Sequence, residues 1–168
     1  WRQEIGEKGQ KLLQGIIPYS WVLDPAPLPI HAVIPELGIQ SWAEMDRFSQ
    51  KQRDLVLKVS GFSELAWGAR GVHIGSDMPA EEWSALVKKA LTDFGTHPNV
   101  LMRFAKGALA NQDYATENDE IATLNGRARV SPYYFVANER VSLGGVLVTL
   151  VPADKKLIHG MRDAVISP

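Results

Sequence analysis

Residues 55–75, LVLKVSGFSELAWGARGVHIG, decide how the first part of the chain folds. The two ends of this stretch, LVLKV and GVHIG, are short apolar runs rich in β-branched residues, which favour strands. Gly61, Gly68 and Gly71 lie in or at the end of the intervening segment, where they allow the backbone to turn. We therefore predict strands over residues 53–59 and 71–75, joined as an antiparallel hairpin.

The same hairpin carries residues whose chemistry suits phosphate binding. Lys58 supplies a positive charge, and the loop glycines let backbone amides approach phosphate oxygens with no Cβ in the way. The loop is neither a Walker A sequence nor a G-x-G-x-x-G motif. The residues alone leave a second interpretation open, in which this is a surface hairpin and the lysine side chain extends along an apolar strand to reach water.

Two further polar residues of this stretch have competing interpretations. Arg70 is placed to reach a phosphate from the end of the loop, or to be a solvated or ion-paired arginine at the start of a strand. Alternation along the second strand places His73 on the opposite face from Val72 and Ile74, where we expect a structural role.

A helix and a third strand follow the hairpin. Residues 77–79, Asp-Met-Pro, predict the start of the helix with Asp77 as its N-cap. Apolar residues then recur at helical spacing as far as Gly95, which is expected to end the helix. Residues 100–104, VLMRF, predict the third strand.

Residues 1–52 form a helical and proline-rich lead-in segment. The first 14 residues have a weak helical stripe, and the prolines of residues 16–37 predict irregular, extended chain lying across the domain. Ser41 and Glu44 have the spacing of a capping box, which predicts a short helix to about Lys51.

The remaining sequence predicts a loop and a group of strands. Residues 107–126 contain acidic side chains but no lysine or arginine, which is typical of a solvated, mobile loop. Strands are predicted over residues 127–136 and 141–151, joined as a hairpin, and from 156–158 toward Val165. This order of elements predicts an α+β fold with two lobes.

Composition excludes several classes of protein. A net charge of −1 argues against a nucleic-acid partner, because nucleic-acid-binding modules usually carry a strongly basic face. The absence of cysteine excludes disulfides, thiolate zinc sites, iron–sulfur clusters and a cysteine nucleophile. No apolar run reaches the roughly 18 residues of a membrane span, so we expect a cytoplasmic protein without a membrane partner. Its first and last residues predict that it is a fragment of a longer chain.

Over residues 53–168 the sequence resembles the ATP-grasp superfamily. In the first lobe the likeness lies in VLK, the glycine-containing loop, RGVHIG, the helix with EEW, and VLMRFAKG; in the second it lies in RARVSPYYFV, LGGVLVTLVP and KKLIHGMRDAV. The earlier IIPYSWVLDP is similar to the family's lead-in. The resemblance implies a first lobe over residues 53–106, with antiparallel strands and a packed helix. It implies part of a second lobe, an antiparallel strand group, over residues 127–168.

The resemblance also implies a site for ATP and Mg²⁺. In this family a strand lysine and a glycine loop contact the phosphates, a strand between the lobes presents main-chain groups to adenine, and a second-lobe strand adds a basic residue. The corresponding residues here are Lys58, Gly61, Ser63, Gly68, Arg70, Gly71, Met102, Arg103, Phe104 and Arg129. No Glu-x-Asn motif follows residue 127, which makes Asp163 the candidate metal ligand.

By this resemblance, the chain is the ATP-binding domain of a ligase. Such enzymes join a carboxylate, here of a small molecule or peptide, to an amine or similar nucleophile through an acyl phosphate. The missing metal motif leaves open a non-catalytic relative, and no catalytic residue is assigned. The proline-rich residues 18–35 and the acidic residues 107–126 leave open a protein-interaction module that binds no nucleotide.

Overall fold

A computed structural model describes residues 2–29, 32–60, 63–66, 70–158 and 163–167. The chain divides into two compact units, Trp1–Ala105 and Lys106–Pro168. Each contains one four-stranded antiparallel sheet, which confirms the predicted α+β class. None of the described helices is long and apolar enough to cross a membrane.

The first unit combines two α-helices, one longer 3-10 helix and a sheet. In chain order its elements are α1 (Arg2–Ile16), β1 (Ser20–Val22), the 3-10 helix Trp42–Arg47, β2 (Leu55–Val59), β3 (Val72–Ile74), α2 (Ala80–Thr92) and β4 (Asn99–Arg103). The strands lie in the order β1-β4-β2-β3, and all neighbours are antiparallel. The predicted β2–β3 hairpin and the third strand are therefore confirmed.

Strand register decides which side chains share a face of this sheet. Leu57 lies opposite both His73 and Leu101, so these three side chains point to one face. Lys58 lies opposite Val72 and Val100 on the other face. Leu57 and Leu101 belong to the buried core that α2 covers, and the face bearing Lys58 therefore points away from α2.

The core of the first unit is centred on Trp83 of α2. Its side chain is completely buried, and its indole Nε1 donates a hydrogen bond of 2.7 Å to the Met45 carbonyl of the 3-10 helix. Gly75 lies against the same indole, since a Cβ there would stand 2.8 Å from the ring and 2.8 Å from the Arg53 carbonyl. The helix, the end of β3 and the chain before β2 are thus packed around one aromatic side chain.

The predicted cap of α2 is wrong. Asp77 lies in a separate 3-10 turn, Gly75–Asp77, and the N-cap is Pro79, which forms no side-chain cap hydrogen bond. Met78 precedes a proline, and that position disfavours helical angles; its φ of −119° and ψ of 156° are extended. A helix capped by Asp77 would need Met78 to be helical, so α2 begins after the proline.

The capping box is confirmed. The Ser41 hydroxyl accepts the Ala43 amide at 3.2 Å, and the Glu44 carboxylate accepts the Ser41 amide at 2.8 Å. The helix that it opens is a single 3-10 segment that ends at Arg47, before the predicted Lys51. Phe48 adopts extended angles there, and its side chain is buried in the core.

The second unit is a sheet of four consecutive strands. These are β5 (Leu109–Ala115), β6 (Ile121–Ala137), β7 (Arg140–Pro152) and β8 (Val165–Ser167), and each pairs with the next. The β6–β7 hairpin is confirmed, and its turn residues Asn138 and Glu139 have positive φ, which suits a tight two-residue turn. The last strand begins at Val165, beyond the predicted residues 156–158.

The prediction of a loop over residues 107–126 is wrong. This stretch forms β5, a turn and the beginning of β6. Polar side chains pair across the strands: Thr123 donates to the Asp113 carboxylate at 2.6 Å, and Asn125 donates to the Asn111 side-chain oxygen at 2.6 Å. The acidic composition therefore belongs to an exposed hairpin, whose polar residues pair with each other across its surface.

Candidate functional site

Lys58 lies beside a cavity on the sheet face that points away from α2. The cavity has a volume of about 270 Å³, and Ser60, Gly71 and Val100 also line it. The Lys58 side chain is half-buried between the β3 and β4 neighbours that its register assigns. Among the described residues, no acidic side chain forms an ion pair with it. A half-buried lysine without a counter-ion can bind an anion in this cavity.

The described loop amides near Lys58 already have hydrogen-bond partners. The Ser60 amide donates to the Pro98 carbonyl at 2.8 Å, and the Ser63 amide donates to the Ser60 carbonyl at 3.1 Å. The Ala66 amide donates to the Ser63 carbonyl at 3.0 Å within a 3-10 turn. These amides therefore stabilise the loop itself. Gly61 and Gly68, the residues predicted to approach the phosphates, lie outside the described part of the chain.

Gly71 is buried where the loop returns to β3. A Cβ at this position would stand 3.0 Å from the Leu65 carbonyl and 3.2 Å from a methyl carbon of Val59. Close packing of the loop against β2 thus favours glycine here, whatever binds in the cavity.

Ser63 is directed toward the connection between α2 and β4. Its hydroxyl lies 3.0 Å from Nδ1 of His97 and accepts the Leu65 amide at 3.2 Å. The Ser63 hydroxyl therefore links the amide of its own loop to the His97 ring. Ser63 is 8% exposed and does not line the Lys58 cavity. Its hydroxyl therefore holds the loop to the body of the unit.

Among the described residues, no carboxylate forms a hydrogen bond with His97 that would complete a catalytic triad. Asp93, the carboxylate closest to His97 along the chain, forms a hydrogen bond of 2.5 Å with Lys89 instead. We therefore assign Ser63 a positioning role, in agreement with its burial.

Arg70 lies in a different cavity from Lys58. This second cavity has a volume of about 240 Å³, and its lining includes His73 and residues of α2, so it is on the helix-facing side of the sheet. Val59 and Gly71 line both cavities from opposite sides of the hairpin. The structure thus separates two cations that sequence reasoning grouped together.

The three residues predicted to present main-chain groups to adenine lie at the end of β4, between β1 and β2. The Arg103 amide donates to the Tyr19 carbonyl at 3.1 Å, and the Phe104 amide donates to the Asp54 carbonyl at 3.2 Å. Met102 pairs with strands on both sides. The amides of Arg103 and Phe104 therefore already have hydrogen-bond partners in the neighbouring chain segments.

Tyr19 beside this strand has a perturbed hydroxyl. A hydrogen bond to the Glu36 carboxylate, together with its negative charge and a smaller contribution from desolvation, raises the pKa of Tyr19 above its usual range. The Arg103 guanidinium donates to the Glu36 carbonyl at 2.6 Å. This contact of β1, β4 and the proline-rich segment had no signal in the sequence, because its partners are far apart in the chain.

Arg129 and Asp163 belong to the second unit. Arg129 is exposed on β6 and donates to the Ile158 carbonyl at 3.1 Å. Asp163 is exposed, and its carboxylate lies 3.6 Å from Lys155 Nζ. Within the described residues, no three His, Asp or Glu side chains are grouped so as to hold a metal ion. The contact of Asp163 recorded among these residues is thus the one with Lys155.

Sequence reasoning missed the polar side chains around the second cavity, which include Lys89, Asp93, His97 and Asn99. They come from the end of α2, the start of β4 and the chain between them, and the fold brings them next to Arg70.

A comparison with protein-family models, with curated proteins and with solved structures found no match to this chain.

Proposed function

We propose that this chain is the ATP-binding domain of an ATP-grasp-like ligase, in which Lys58 contacts the nucleotide phosphates. The ligase would join the carboxylate of a small molecule or peptide to an amine or similar nucleophile through an acyl phosphate. The observation that carries the proposal is Lys58 itself, half-buried at a cavity and without an ion-pair partner among the described residues.

The surroundings of Lys58 suit a phosphate group. The cavity of about 270 Å³ is smaller than most sites for whole drug-sized ligands, so it fits part of a triphosphate and not the entire nucleotide. The side chain reaches the cavity from a strand paired on both sides, which limits its movement. A positioned ammonium group stabilises the negative charge that develops during phosphoryl transfer.

The described residues do not fit a resident Mg²⁺ site, and we derive no step through the metal. Mg²⁺ sites of this kind usually combine substrate phosphates and waters with one or two protein carboxylates. The α+β architecture of two antiparallel sheets supports the proposal at the level of fold class.

The test is the substitution Lys58→Met, with Lys51→Met as the control. Lys51 is exposed just before β2 and does not line the cavity. ATP affinity is measured calorimetrically, with and without Mg²⁺. A charge-assisted contact contributes about 1.5–3 kcal/mol, so Lys58→Met should weaken ATP binding by about 10-fold or more, and Lys51→Met should leave it unchanged. Equal affinity of Lys58→Met and the parent chain would contradict the proposal, as would a parent chain that binds no ATP.

A non-catalytic nucleotide-binding relative is the second candidate. It is favoured by the Lys155 ion pair of Asp163 and by the lack of a metal-ligand group among the described residues. The two candidates differ in acyl phosphate formation, which hydroxylamine traps as a hydroxamate. A ligase forms hydroxamate from ATP and a carboxylate in the presence of Mg²⁺. ATP binding without any hydroxamate, across a panel of carboxylates, would favour the relative.

A further inference from the structure

The cavity on the helix-facing side of the hairpin has the features of a second binding site. It lies between β3, the C-terminal part of α2 and the first residue of β4, with a volume of about 240 Å³. The register that directs Lys58 to one face of the sheet directs His73 to the other. The two cavities therefore lie on opposite faces of one hairpin and present different side chains.

Most of the titratable groups that line this second cavity are cations or hydrogen-bond donors. Arg70 is exposed and, among the described residues, has no ion-pair partner. Lys89 is paired with Asp93, the one carboxylate among the described residues of the lining, and these two charges balance. The guanidinium of Arg70 thus remains as an uncompensated positive charge, accompanied by the imidazoles of His73 and His97.

Partly buried hydrogen bonds hold His97 in place. Its ring Nδ1 lies 3.0 Å from the Ser63 hydroxyl, and its amide donates to the Asp93 carbonyl at 2.7 Å. The Asn99 side chain, which is 7% exposed, donates to the His97 carbonyl at 2.8 Å. A ring that accepts from Ser63 at Nδ1, or that is doubly protonated, presents Nε2–H as a donor. The imidazole orientation is therefore fixed before any ligand arrives, which lowers the entropy cost of binding.

We infer that this second cavity binds a small phosphate oxyanion, either free phosphate or a phosphate monoester, through Arg70, His73 and His97. A guanidinium presents paired N–H donors that match phosphate oxygens, and an imidazole adds a further N–H. The volume accommodates one phosphate with a small organic group and is too small to enclose a whole nucleotide. This inference does not rest on the nucleotide proposal, because Lys58 does not line this cavity.

The experiment follows the imidazole signals of ¹⁵N-labelled protein by NMR during titration with inorganic phosphate at fixed ionic strength. The His73 and His97 signals should move saturably, and Arg70→Gln should weaken binding at least fivefold. Lys88→Gln is the matched control, because Lys88 lies on α2 outside the cavity lining, with its ammonium group 3.9 Å from the Asp46 carboxylate. Lys58→Met should leave the phosphate dependence of the His73 and His97 signals unchanged, because Lys58 does not line this cavity, and this separates the test from that of the nucleotide site.

A second variant and a second probe complete the design. His73→Leu removes the imidazole donor from β3, and it should weaken binding if the cavity is the site. Tighter binding of ethyl phosphate than of inorganic phosphate would identify a monoester ligand, and the reverse order would identify free phosphate. Phosphate that moves neither imidazole signal would overturn the inference. Equal loss of affinity in Lys88→Gln and Arg70→Gln would also overturn it, since that result indicates general charge attraction.

Discussion

The two sheets of this protein are protected from water to very different extents. In the first unit, α2 and the 3-10 helix cover one face of the sheet, and Trp83, Leu57 and Leu101 are completely buried. The described part of the second unit contains no helix, and its fully buried side chains cluster at Thr149, Leu150 and Val151. Burial in the second unit is thus concentrated near the end of β7.

The turn end of the β6–β7 hairpin shows the contrast in burial most clearly. Six large apolar side chains there are each more than half exposed: Tyr133, Tyr134, Phe135, Val136, Val141 and Leu143. β5 pairs with β6 only as far as Arg127, and β8 pairs only with residues 148–150 of β7. A strand pattern and a turn are enough to form a hairpin. Apolar side chains of a sheet are buried, however, only where a second layer packs on it, and in the first unit that layer is α2.

The largest expected effect is the loss of stability when the central aromatic side chain of the first unit is removed. Trp83→Ala removes a completely buried indole and its hydrogen bond to Met45, and it should lower the free energy of unfolding by about 3–5 kcal/mol. Phe135→Ala is the counterpart in the second unit and should cost less than about 1 kcal/mol, since that ring is 63% exposed. Urea unfolding of both variants, followed by circular dichroism, measures the difference. Similar losses in the two variants would show that the contrast in burial has no energetic consequence.

A smaller loss of stability is expected where β6 packs closely against β7 in the second unit. A Cβ on Gly126 would stand 2.2 Å from the Val151 carbonyl, so Gly126→Ala must push β6 and β7 apart. We expect a loss of about 1–3 kcal/mol, the usual cost of overpacking. Gly145 on β7 is the control, because a Cβ there meets nothing within 4 Å. Gly145→Ala should be neutral or stabilise by up to about 1 kcal/mol, because glycine is unfavourable in a strand. Urea unfolding of both variants tests this, and equal destabilisation would contradict it.

The smallest effect concerns the surface of the first unit. Glu36→Gln removes the negative charge that faces the Tyr19 hydroxyl, so the pKa of Tyr19 should fall toward its ordinary value. The raised pKa in the folded protein means that the contact stabilises the fold below the ordinary tyrosine pKa. This contribution is lost as the pH rises through the raised value. Ultraviolet titration of tyrosinate, with Tyr19→Phe subtracted, measures the shift. A pKa that stays equally high in Glu36→Gln would assign it to another cause.

Several elements were predictable because their signals are local. The hairpin around residues 55–75 followed from two apolar runs and the glycines between them, and the Ser41–Glu44 box from residues in one turn. The alternation that placed His73 opposite Val72 and Ile74 needed only the strand period. The lysine of the candidate site was found in the same way, from its position in a strand before a glycine-containing loop.

Other features were decided by partners distant in the sequence. Composition suggested a loop at residues 107–126, but pairing with β6 made most of that stretch a strand. The cap of α2 moved past Pro79 because backbone angles before a proline overrode the chemistry of Asp77.

The sequence by itself therefore determined the α+β class, the β2–β3 and β6–β7 hairpins and the position of Lys58 on a strand, because period, turn residues and capping act over a few neighbouring residues. Only the tertiary structure decided that Lys58 and Arg70 line separate cavities and that Ser63 holds His97. The physical reason is that these relations depend on which strands pair and which face α2 covers. Those choices are settled by contacts across the whole unit.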